Sequence, residues 1–503
     1  ETVVLPPLME NINLSTFKLL EKFVARGVKL IAVSDPLLVD GSANESLKSF
    51  FEKYSGKISF EDHLTPELIT KYFSDQEITF SGISGGDLYH HRRVLDDGQI
   101  LFLVNSSLIE SVRGSVNASG SDAIEMNTLS GEIYGYPNIA EGNSVNISFN
   151  LPPAGSLLLY LPELRKTGYS IPEIPEEYVS LPGTSPMKVI RDDVNAIAIE
   201  FCDLLLDGML SRDLHNYTAA DMVYKHYGFK DGNPWNHAVQ FRKNITDRDN
   251  FEPNSGFTAD YHFSINGRFD YSSVRAVIER PYLWDVSING NAIEPEESEW
   301  WIDREFAVFD ISSYVRPGKN TISLRVAPMK IHAEIEPVYI TGDFSVSVAA
   351  KGWMIVPSGE SLKAGSWKDQ GMPFYSWNVT YSKDFAVDQK NSVCKVKLND
   401  WKGTIAEVSV NGKWAGVIAF PPYDLDVTKF IESGTNTIDV KVTGSLKNLM
   451  GPHFNNPAPG MTGPGHWRNV KTYPAGKDYQ LIDYGLMEEF ELLQGNYSSV
   501  TSR

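Results

Sequence analysis

The chain of 503 residues has little cysteine, no long apolar run and fewer basic than acidic residues. Its two cysteines, Cys202 and Cys394, cannot form a dense disulfide framework. Each lies in an apolar, strand-like context that favours buried free thiols over the alternative of one interdomain bridge. No segment approaches the roughly 18 to 20 apolar residues of a membrane span. Lys and Arg number 45 against 64 Asp and Glu, and the resulting net charge of -19 argues against nucleic-acid binding.

Several catalytic signatures are also missing. The sequence contains no serine elbow, zinc-ligand spacing, phosphate-binding loop or dinucleotide fingerprint. No basic and then apolar leader precedes the first apolar stretch, Val3 to Leu5. We therefore expect a fragment or processed chain whose upstream part is missing. The acidic composition suits a secreted, periplasmic or cell-surface protein.

One stretch occurs twice, at 286–326 and at 408–442. Each copy has an Asn-Gly pair (Asn289-Gly290 and Asn411-Gly412), then an Asp-Ile/Val-Ser/Thr step, then Gly-x-Asn before an alternating strand. Asn-Gly supplies the positive φ angles of a tight hairpin turn, and Gly-x-Asn is a second turn signal. The repeat predicts two β-sandwich modules of one type.

The length predicts three to five domains of roughly 100 to 200 residues each. Residues 1–75 read as strand, helix, strand and helix, a partial α/β piece with a parallel sheet. Residues 76–165 read as a small antiparallel β-sandwich that carries the polar cluster 89–93. This cluster is a candidate general acid or anion clamp; the structural alternative is a polar rim on a hairpin or an Arg that pins a neighbouring domain. A proline-rich linker follows at 164–186, and the two repeat sandwiches are predicted at 187–350 and 351–503.

Sugar binding is the function that these residues favour. A pyranose presents a C–H face to an aromatic ring and hydroxyl groups to polar side chains. The loop 448–473 combines both types, and the first repeat adds a pair of adjacent tryptophans. The alternative for the loop is an ordered connection whose His and Trp residues pack on the next domain. The candidate carbohydrate-binding residues are Asn448, His453, His466, Trp467, Arg468, Tyr473, Trp300 and Trp301.

A calcium site within a sandwich is also expected, because loop carboxylates and carbonyls supply the hard oxygen ligands that calcium takes. Asp303 and Glu305 are its candidate ligands. The acidic runs elsewhere are typical of solvated faces. Two carboxyl groups placed across a sugar for glycoside hydrolysis are a tertiary feature that these runs do not reveal.

Motifs along nearly the whole chain, taken in their order, resemble those of the C-terminal part of the family 106 glycoside hydrolases, the α-L-rhamnosidases. The motifs are His-x-Arg-Arg at 90–93, Phe-Leu-Val-Asn at 102–105, Pro-x-Gly-Ser-Leu at 153–157, Val-Tyr-Ile-x-Gly-Asp-Phe at 338–344, Gly-x-Pro-Phe-Tyr at 371–375 and Ser-Leu-x-Asn-Leu-x-Gly-Pro-His at 445–453.

The resemblance implies a mainly β, multi-domain chain with galactose-binding-like jelly rolls for the two repeats. The N-terminal piece would be a partial α/β domain of flavodoxin- or amidotransferase-like type. It also implies a calcium-assisted, inverting hydrolase of plant-type or bacterial polysaccharide, with catalytic glutamates on an upstream (β/α)8 barrel. No such barrel pattern follows residue 75, so no catalytic residue is assigned.

We accordingly expect a non-catalytic C-terminal region of a secreted rhamnosidase-like enzyme, with a rhamnose-containing glycan and the upstream catalytic barrel as partners. The alternative is a stand-alone carbohydrate-binding, adhesive or surface-assembly protein.

Overall fold

The computed structural model describes residues 2–72, 78–173, 175, 177–359, 361–388, 392–454, 463–467, 470 and 472–496. The predicted fold class is confirmed: the chain is mainly β, with its strands distributed over nine sheets among the described residues. It forms two compact units, 1–171 and 172–503. Within the described part of the chain, no helix combines the length and apolar character needed to cross a membrane.

The first unit opens with the predicted α/β piece. Its parallel sheet has the order Thr2–Leu5, Lys29–Ala32 and Ile58–Phe60. Phe17, Leu20 and Val24 recur at helical spacing and are buried against this sheet. The helices are Leu14–Ala25, Glu45–Lys53 and Pro66–Tyr72, and a second small sheet joins Asn11–Ile12, Leu38–Val39 and Ser42–Ala43.

The rest of the first unit contains two antiparallel sheets around one apolar core. The strand Leu88–Leu95 contains the polar cluster 89–93, where His90 lies against Phe80 with ring centroids 5.0 Å apart. One sheet has the order Ile139–Glu141, Ser144–Leu151, Val112–Ser119 and Ile78–Ser84; the other has Ile133–Gly135, Ile124–Met126, Ser156–Pro162, Gly98–Asn105 and Leu88–Leu95.

The first repeat lies in a two-sheet sandwich, called here the first repeat sandwich. Alternate residues of Phe257–Ile265 are buried in its core, so Thr258, Asp260, His262 and Ser264 lie on the outer face. One sheet has the order Asn195–Ile199, Val338–Gly342, Arg275–Glu279, Asp303–Asp310 and Trp300–Trp301; the other has Met209–His215, Phe201–Leu206, Phe257–Ile265, Gly318–Val326, Asp285–Ile288 and Asn291–Ala292, with Trp353–Val356 and Ser345–Val348 added beside Phe257–Ile265.

The second repeat lies in the second repeat sandwich. One of its sheets has the order Lys188–Arg191, Asn378–Val387, Gly434–Thr443, Ile405–Val410 and Lys413–Ile418; the other has Tyr178–Leu181, Glu491–Asn496, Ser392–Lys397 and Asp424–Asp426, and Trp401–Lys402 pairs with Gly485–Leu486. The helices of the second unit are Asn216–His226 and Lys447–Met450, with 3-10 turns at Pro234–Asn236, Arg242–Asn244, Thr246–Arg248, Pro281–Leu283, Trp367–Gln370, Thr428–Phe430, Pro464–Trp467 and Gly476–Asp478.

The repeated motif folds in the same way twice. Asn289 and Asn411 both take the positive φ predicted for the Asn-Gly turns. Each also donates to the Oδ1 of the buried Asn of Gly-x-Asn, Asn320 at 2.9 Å and Asn436 at 3.0 Å. The buried Asn in turn closes the preceding turn by bonding the backbone N–H and C=O four residues earlier. The two turn signals therefore form one hydrogen-bonded unit in each sandwich.

Three assignments differ from the sequence prediction. The stretch 164–186 was expected to be a linker, but Tyr178–Leu181 forms an edge strand against Glu491–Asn496. Lys188–Arg191 was expected in the first repeat sandwich and instead pairs with Asn378–Val387 of the second. The hairpin of Ser345–Val348 and Trp353–Val356 crosses the expected boundary at 350 and belongs to the first. These strands pair over long sequence separations, which local composition does not encode.

Candidate functional site

The predicted carbohydrate loop begins at a buried position. Asn448 is 2% exposed and lies in the short helix Lys447–Met450. Its Nδ2 donates to the carbonyl oxygen of Ile482 at 2.9 Å, and its Oδ1 accepts from the Ile482 N–H at 3.0 Å. The side-chain amide of Asn448 thus uses both its nitrogen and its oxygen to bind the backbone at Ile482. The expected sugar contact does not fit Asn448, because the side chain is buried and engaged by the protein.

His453 is fully buried as well. Its Nε2 lies 2.7 Å from the carbonyl oxygen of Asn448 and its Nδ1 lies 2.8 Å from Oε2 of Glu200. A carbonyl only accepts, so Nε2 carries a proton and donates it to the Asn448 carbonyl, while Nδ1 faces the Glu200 carboxylate. His453 therefore links the loop to the first repeat sandwich. The expected sugar contact does not fit this residue either.

Glu200 occupies the corner where the chain passes from Asn195–Ile199 in one sheet to Phe201–Leu206 in the other. A second buried histidine, His215, accepts the Tyr217 N–H at its Nδ1 and turns Nε2 toward Oε1 of Glu200 at 3.8 Å. Burial acts to raise the pKa of Glu200, but the adjacent His453 and His215 outweigh it and hold that pKa well below the usual range. The carboxylate is thus kept ionised inside the protein.

The next residues of the loop are less enclosed. His466 and Trp467 are partly buried in the 3-10 turn Pro464–Trp467, where Nδ1 of His466 lies 3.0 Å from the backbone N of Gly463. Arg468 lies outside the described residues. Carbohydrate contact by these three residues stays a prediction.

At Tyr473 the loop contacts the first repeat sandwich. Its ring stacks on Phe201 with centroids 4.0 Å apart and an interplanar angle of 8°. The hairpin turn before Trp353 approaches this ring closely: a Cβ on Gly352, whose φ is +58°, would lie 2.7 Å from the Tyr473 hydroxyl oxygen. A glycine at 352 therefore allows the ring to lie against the hairpin.

Tyr473 lines a cavity of about 310 Å³ on the outer face of the first repeat sandwich, called here the sheet groove. Aromatic side chains form one part of its wall and charged or hydroxyl-bearing side chains the other. The aromatic residues are Phe201, Trp353 and Tyr473, and the polar residues are Asp203, Asp213, His262, Ser264, Lys319 and Lys351.

A β-bulge shapes the polar wall. Cys202 pairs with Leu214 and Leu204 with Ser211, so Arg212 and Asp213 together lie opposite Asp203. The Asp203 carboxylate accepts the Asp213 N–H at 2.9 Å. The bulge turns Asp213 outward, where its half-exposed carboxylate pairs with Lys351 from the hairpin tip.

Asp203 itself is nearly buried and organises its neighbours. Its Oδ2 lies 3.2 Å from Nη1 of Arg212 and 3.2 Å from Nε2 of His262, whose Nδ1 lies 3.0 Å from the Thr321 hydroxyl. Burial acts to raise the pKa of Asp203, but the Asp213 N–H, His262 and Arg212 together lower it. Asp203 and His262 thus buttress the groove, while Asp213, Lys351 and Lys319 are exposed to a ligand.

The two adjacent tryptophans, Trp300 and Trp301, differ in their packing and exposure. Trp301 stacks on Trp377, with centroids 5.2 Å apart and an interplanar angle of 21°, and is partly buried. Trp300 is 53% exposed. Of the two, Trp300 is the residue placed to meet a ligand, and its sugar contact stays a prediction.

Asp303 and Glu305 are both exposed, and Oδ1 of Asp303 accepts the Glu305 N–H at 2.9 Å. Two carboxylates supply at most four of the roughly six to eight oxygens that calcium takes, so carbonyls or water would complete a site. The described residues contain no group of three or more His, Cys, Asp or Glu side chains suited to a metal ion.

Comparison with known proteins finds glycoside hydrolases. No protein-family model matches the chain. A Formosa agariphila protein described as "Putative beta-glucuronidase" is 27% identical over 35% of this chain and 18% of its own length. Among solved structures, the rhamnosidase from Novosphingobium sp. PP1Y shares 13% identity at a TM-score of 0.45, covering 98% of this chain and 33% of the rhamnosidase. The Streptomyces avermitilis α-L-rhamnosidase shares 13% identity at a TM-score of 0.23, covering 83% and 40%.

The chain thus spans well under two thirds of each of these proteins. The TM-scores are low, so the sequence similarity to the Formosa protein is the informative match. The sequence named Tyr473 as a candidate, and its sugar contact stays a prediction, but it did not indicate the residues that line the sheet groove with it. Asp203, His262 and Lys351 come from distant segments, and only the outward alternation of the strand containing His262 hinted at a polar face.

Proposed function

We propose that this chain is a non-catalytic region of a secreted glycoside hydrolase resembling the α-L-rhamnosidases, where it supports the catalytic domain and binds carbohydrate. The observation that carries the proposal is the sheet groove, in which aromatic rings and exposed charged groups line one cavity. The similarity to a protein described as a β-glucuronidase supports the same enzyme class.

The groove has the two chemical surfaces that a sugar needs. The ring of Tyr473 is held flat by its stack on Phe201 and offers an apolar surface to a pyranose C–H face. The Asp213 carboxylate accepts hydrogen bonds and the Lys351 ammonium group donates them. Of two neighbouring hydroxyl groups on a sugar, one can therefore donate to Asp213 while the other accepts from Lys351. Because Asp203 and the bulge fix the backbone at Asp213, and Lys351 pairs with the Asp213 carboxylate, part of the ordering cost is met before a ligand binds.

The non-catalytic assignment is supported by strand pairing. A (β/α)8 barrel requires eight parallel strands. Among the described residues, parallel pairing between strands is confined to the N-terminal sheet, the small sheet beside it, and the single contact between Phe257–Ile265 and Trp353–Val356. We therefore propose that the catalytic glutamates lie on a barrel elsewhere in the whole protein.

The proposal is tested with the 503-residue chain. We expect retardation in gels containing rhamnogalacturonan, a polysaccharide of rhamnose and uronic acid, together with no release of nitrophenol from aryl α-L-rhamnoside or aryl β-glucuronide. Hydrolysis would overturn the non-catalytic assignment. Migration unchanged by rhamnogalacturonan would overturn the carbohydrate-binding role.

Calcium at Asp303 and Glu305 is part of the proposal. We expect calcium to raise the melting temperature of the chain, EDTA to reverse the change, and Asp303→Asn to abolish it. An equal response in the variant would place any calcium elsewhere.

Secretion is proposed from the acidic composition and the polysaccharide ligand, and is checked by fractionating cells that make the whole protein.

A further inference from the structure

We infer that the sheet groove is a saccharide subsite that prefers a sugar carrying an anionic group, with Tyr473 as its stacking platform and Lys319 as its anion contact. The inference rests on the proposed carbohydrate-binding function and gives it a location and a ligand class.

The charges in the groove decide the ligand class. Asp203 is paired with Arg212 and His262, and Asp213 is paired with Lys351. Both aspartates are therefore neutralised within the protein.

Lys319 remains as an exposed cation on the same wall, and it has no carboxylate partner among the described residues. This unpaired cation occurs in a chain whose net charge is -19, so an unpaired lysine is not simply the product of a basic surface. A carboxylate or sulfate on the sugar would supply the missing counter-charge.

The position of Lys319 follows from the strand register. In the sheet, Ser264 pairs with Lys319 and His262 pairs with Thr321. These residues lie on the outer face because their neighbours along each strand point into the core. Lys319 therefore lies two residues along its strand from Thr321, which faces His262 on the neighbouring strand, and His262 in turn contacts Asp203.

The aromatic platform lies on the other side of the groove. Phe201 backs one face of Tyr473, and Trp353 extends the apolar wall. A sugar seated on Tyr473 can direct one edge toward Asp213 and Lys351 and a charged substituent toward Lys319. Stacking supplies affinity for any pyranose, and the lysine supplies the preference for an acidic one.

The test uses affinity electrophoresis in rhamnogalacturonan, both native and with its carboxyl groups reduced to hydroxymethyl groups. We expect the wild-type chain to bind the native polymer more tightly than the reduced one. Lys319→Ala should lower native binding to the level of the reduced polymer. Lys330→Ala, an exposed lysine outside the groove lining, should leave the preference intact.

The platform is tested separately. Tyr473→Ala should weaken binding of both polymers about tenfold, equal to about 1.4 kcal/mol, while Tyr473→Phe keeps the ring and should bind as the wild type does. Thermal melts show whether Tyr473→Ala is folded. If it is not, the exposed Lys319→Ala variant still tests whether the sheet groove is the anionic subsite.

Binding with no effect of Lys319→Ala would overturn the anionic preference, and binding unaffected by Tyr473→Ala would overturn the platform. In both cases carbohydrate binding by the chain would stand. Failure of the wild-type chain to bind either polymer would overturn the subsite together with the proposed function.

Discussion

Nδ1 of His453 lies 2.8 Å from Oε2 of Glu200, and both side chains are buried. The contact joins the loop between Gly434–Thr443 and Glu491–Asn496 of the second repeat sandwich to the corner between the two sheets of the first. Because an ionised carboxylate is costly to bury without a partner, the pair ties the position of the loop to the charge of Glu200.

Removal of the imidazole should strongly destabilise the second unit. His453→Ala leaves Glu200 without its closest partner, and breaking a buried pair in this way costs about 3 to 5 kcal/mol. The measurement is urea unfolding followed by tryptophan fluorescence. His237→Ala, an exposed histidine in the same unit, should change stability by less than about 0.5 kcal/mol. Equal effects of the two variants would contradict the structural role of His453.

The same pair predicts a pH dependence. The pKa of Glu200 is lower in the folded chain than in the unfolded one, so the unfolded state binds the proton more readily. The stabilisation is therefore complete above the ordinary glutamate pKa of about 4.3 and is lost as the pH falls below it. Urea midpoints between pH 7 and pH 3 should decline less in Glu200→Gln than in the wild type. Parallel declines would show that other groups control acid stability.

The two buried asparagines of the repeat should be equally sensitive. Asn320→Ala and Asn436→Ala each remove the side-chain hydrogen bonds that close an exposed turn, and each bond contributes about 0.5 to 1.5 kcal/mol. Asn250→Ala, at an exposed position, serves as the control. Thermal melts should show similar losses for the first two variants and little change for the third. A large difference between the two asparagines would mean that the repeats are not energetically equivalent.

The cysteines should be free and shielded. Cys202 and Cys394 are both unpaired and about 1% exposed, and burial raises the pKa of each thiol. Ellman's reagent should find almost no reactive thiol in the native chain and two after denaturation without reductant. Fewer than two thiols in the denatured chain would indicate a bridge.

Local chemistry accounts for what the sequence predicted well. Asn-Gly and Gly-x-Asn specify turns within a few residues, and the structure confirms both copies of the motif. Alternating apolar residues likewise indicated the antiparallel sandwich at 76–165, in which Ser144–Leu151 buries every second residue.

Long-range pairing accounts for what the sequence prediction missed. His453 has the residue type expected of a sugar contact, but its partner Glu200 comes from another sandwich, and only that partner makes it structural. Tyr178–Leu181 lies in a proline-rich stretch and becomes a strand because Glu491–Asn496 lies beside it. The groove residues converge through a bulge and a hairpin tip, neither of which has a local signature.

The placement of Tyr178–Leu181 and Lys188–Arg191 also sets an order of events during synthesis. Both strands leave the ribosome before the first repeat sandwich, yet their partners, Glu491–Asn496 and Asn378–Val387, emerge after it. The first repeat sandwich is in effect an insertion within the second. A nascent chain can therefore complete the inserted sandwich while two strands of the host wait unpaired, and the host closes only when its last strand arrives.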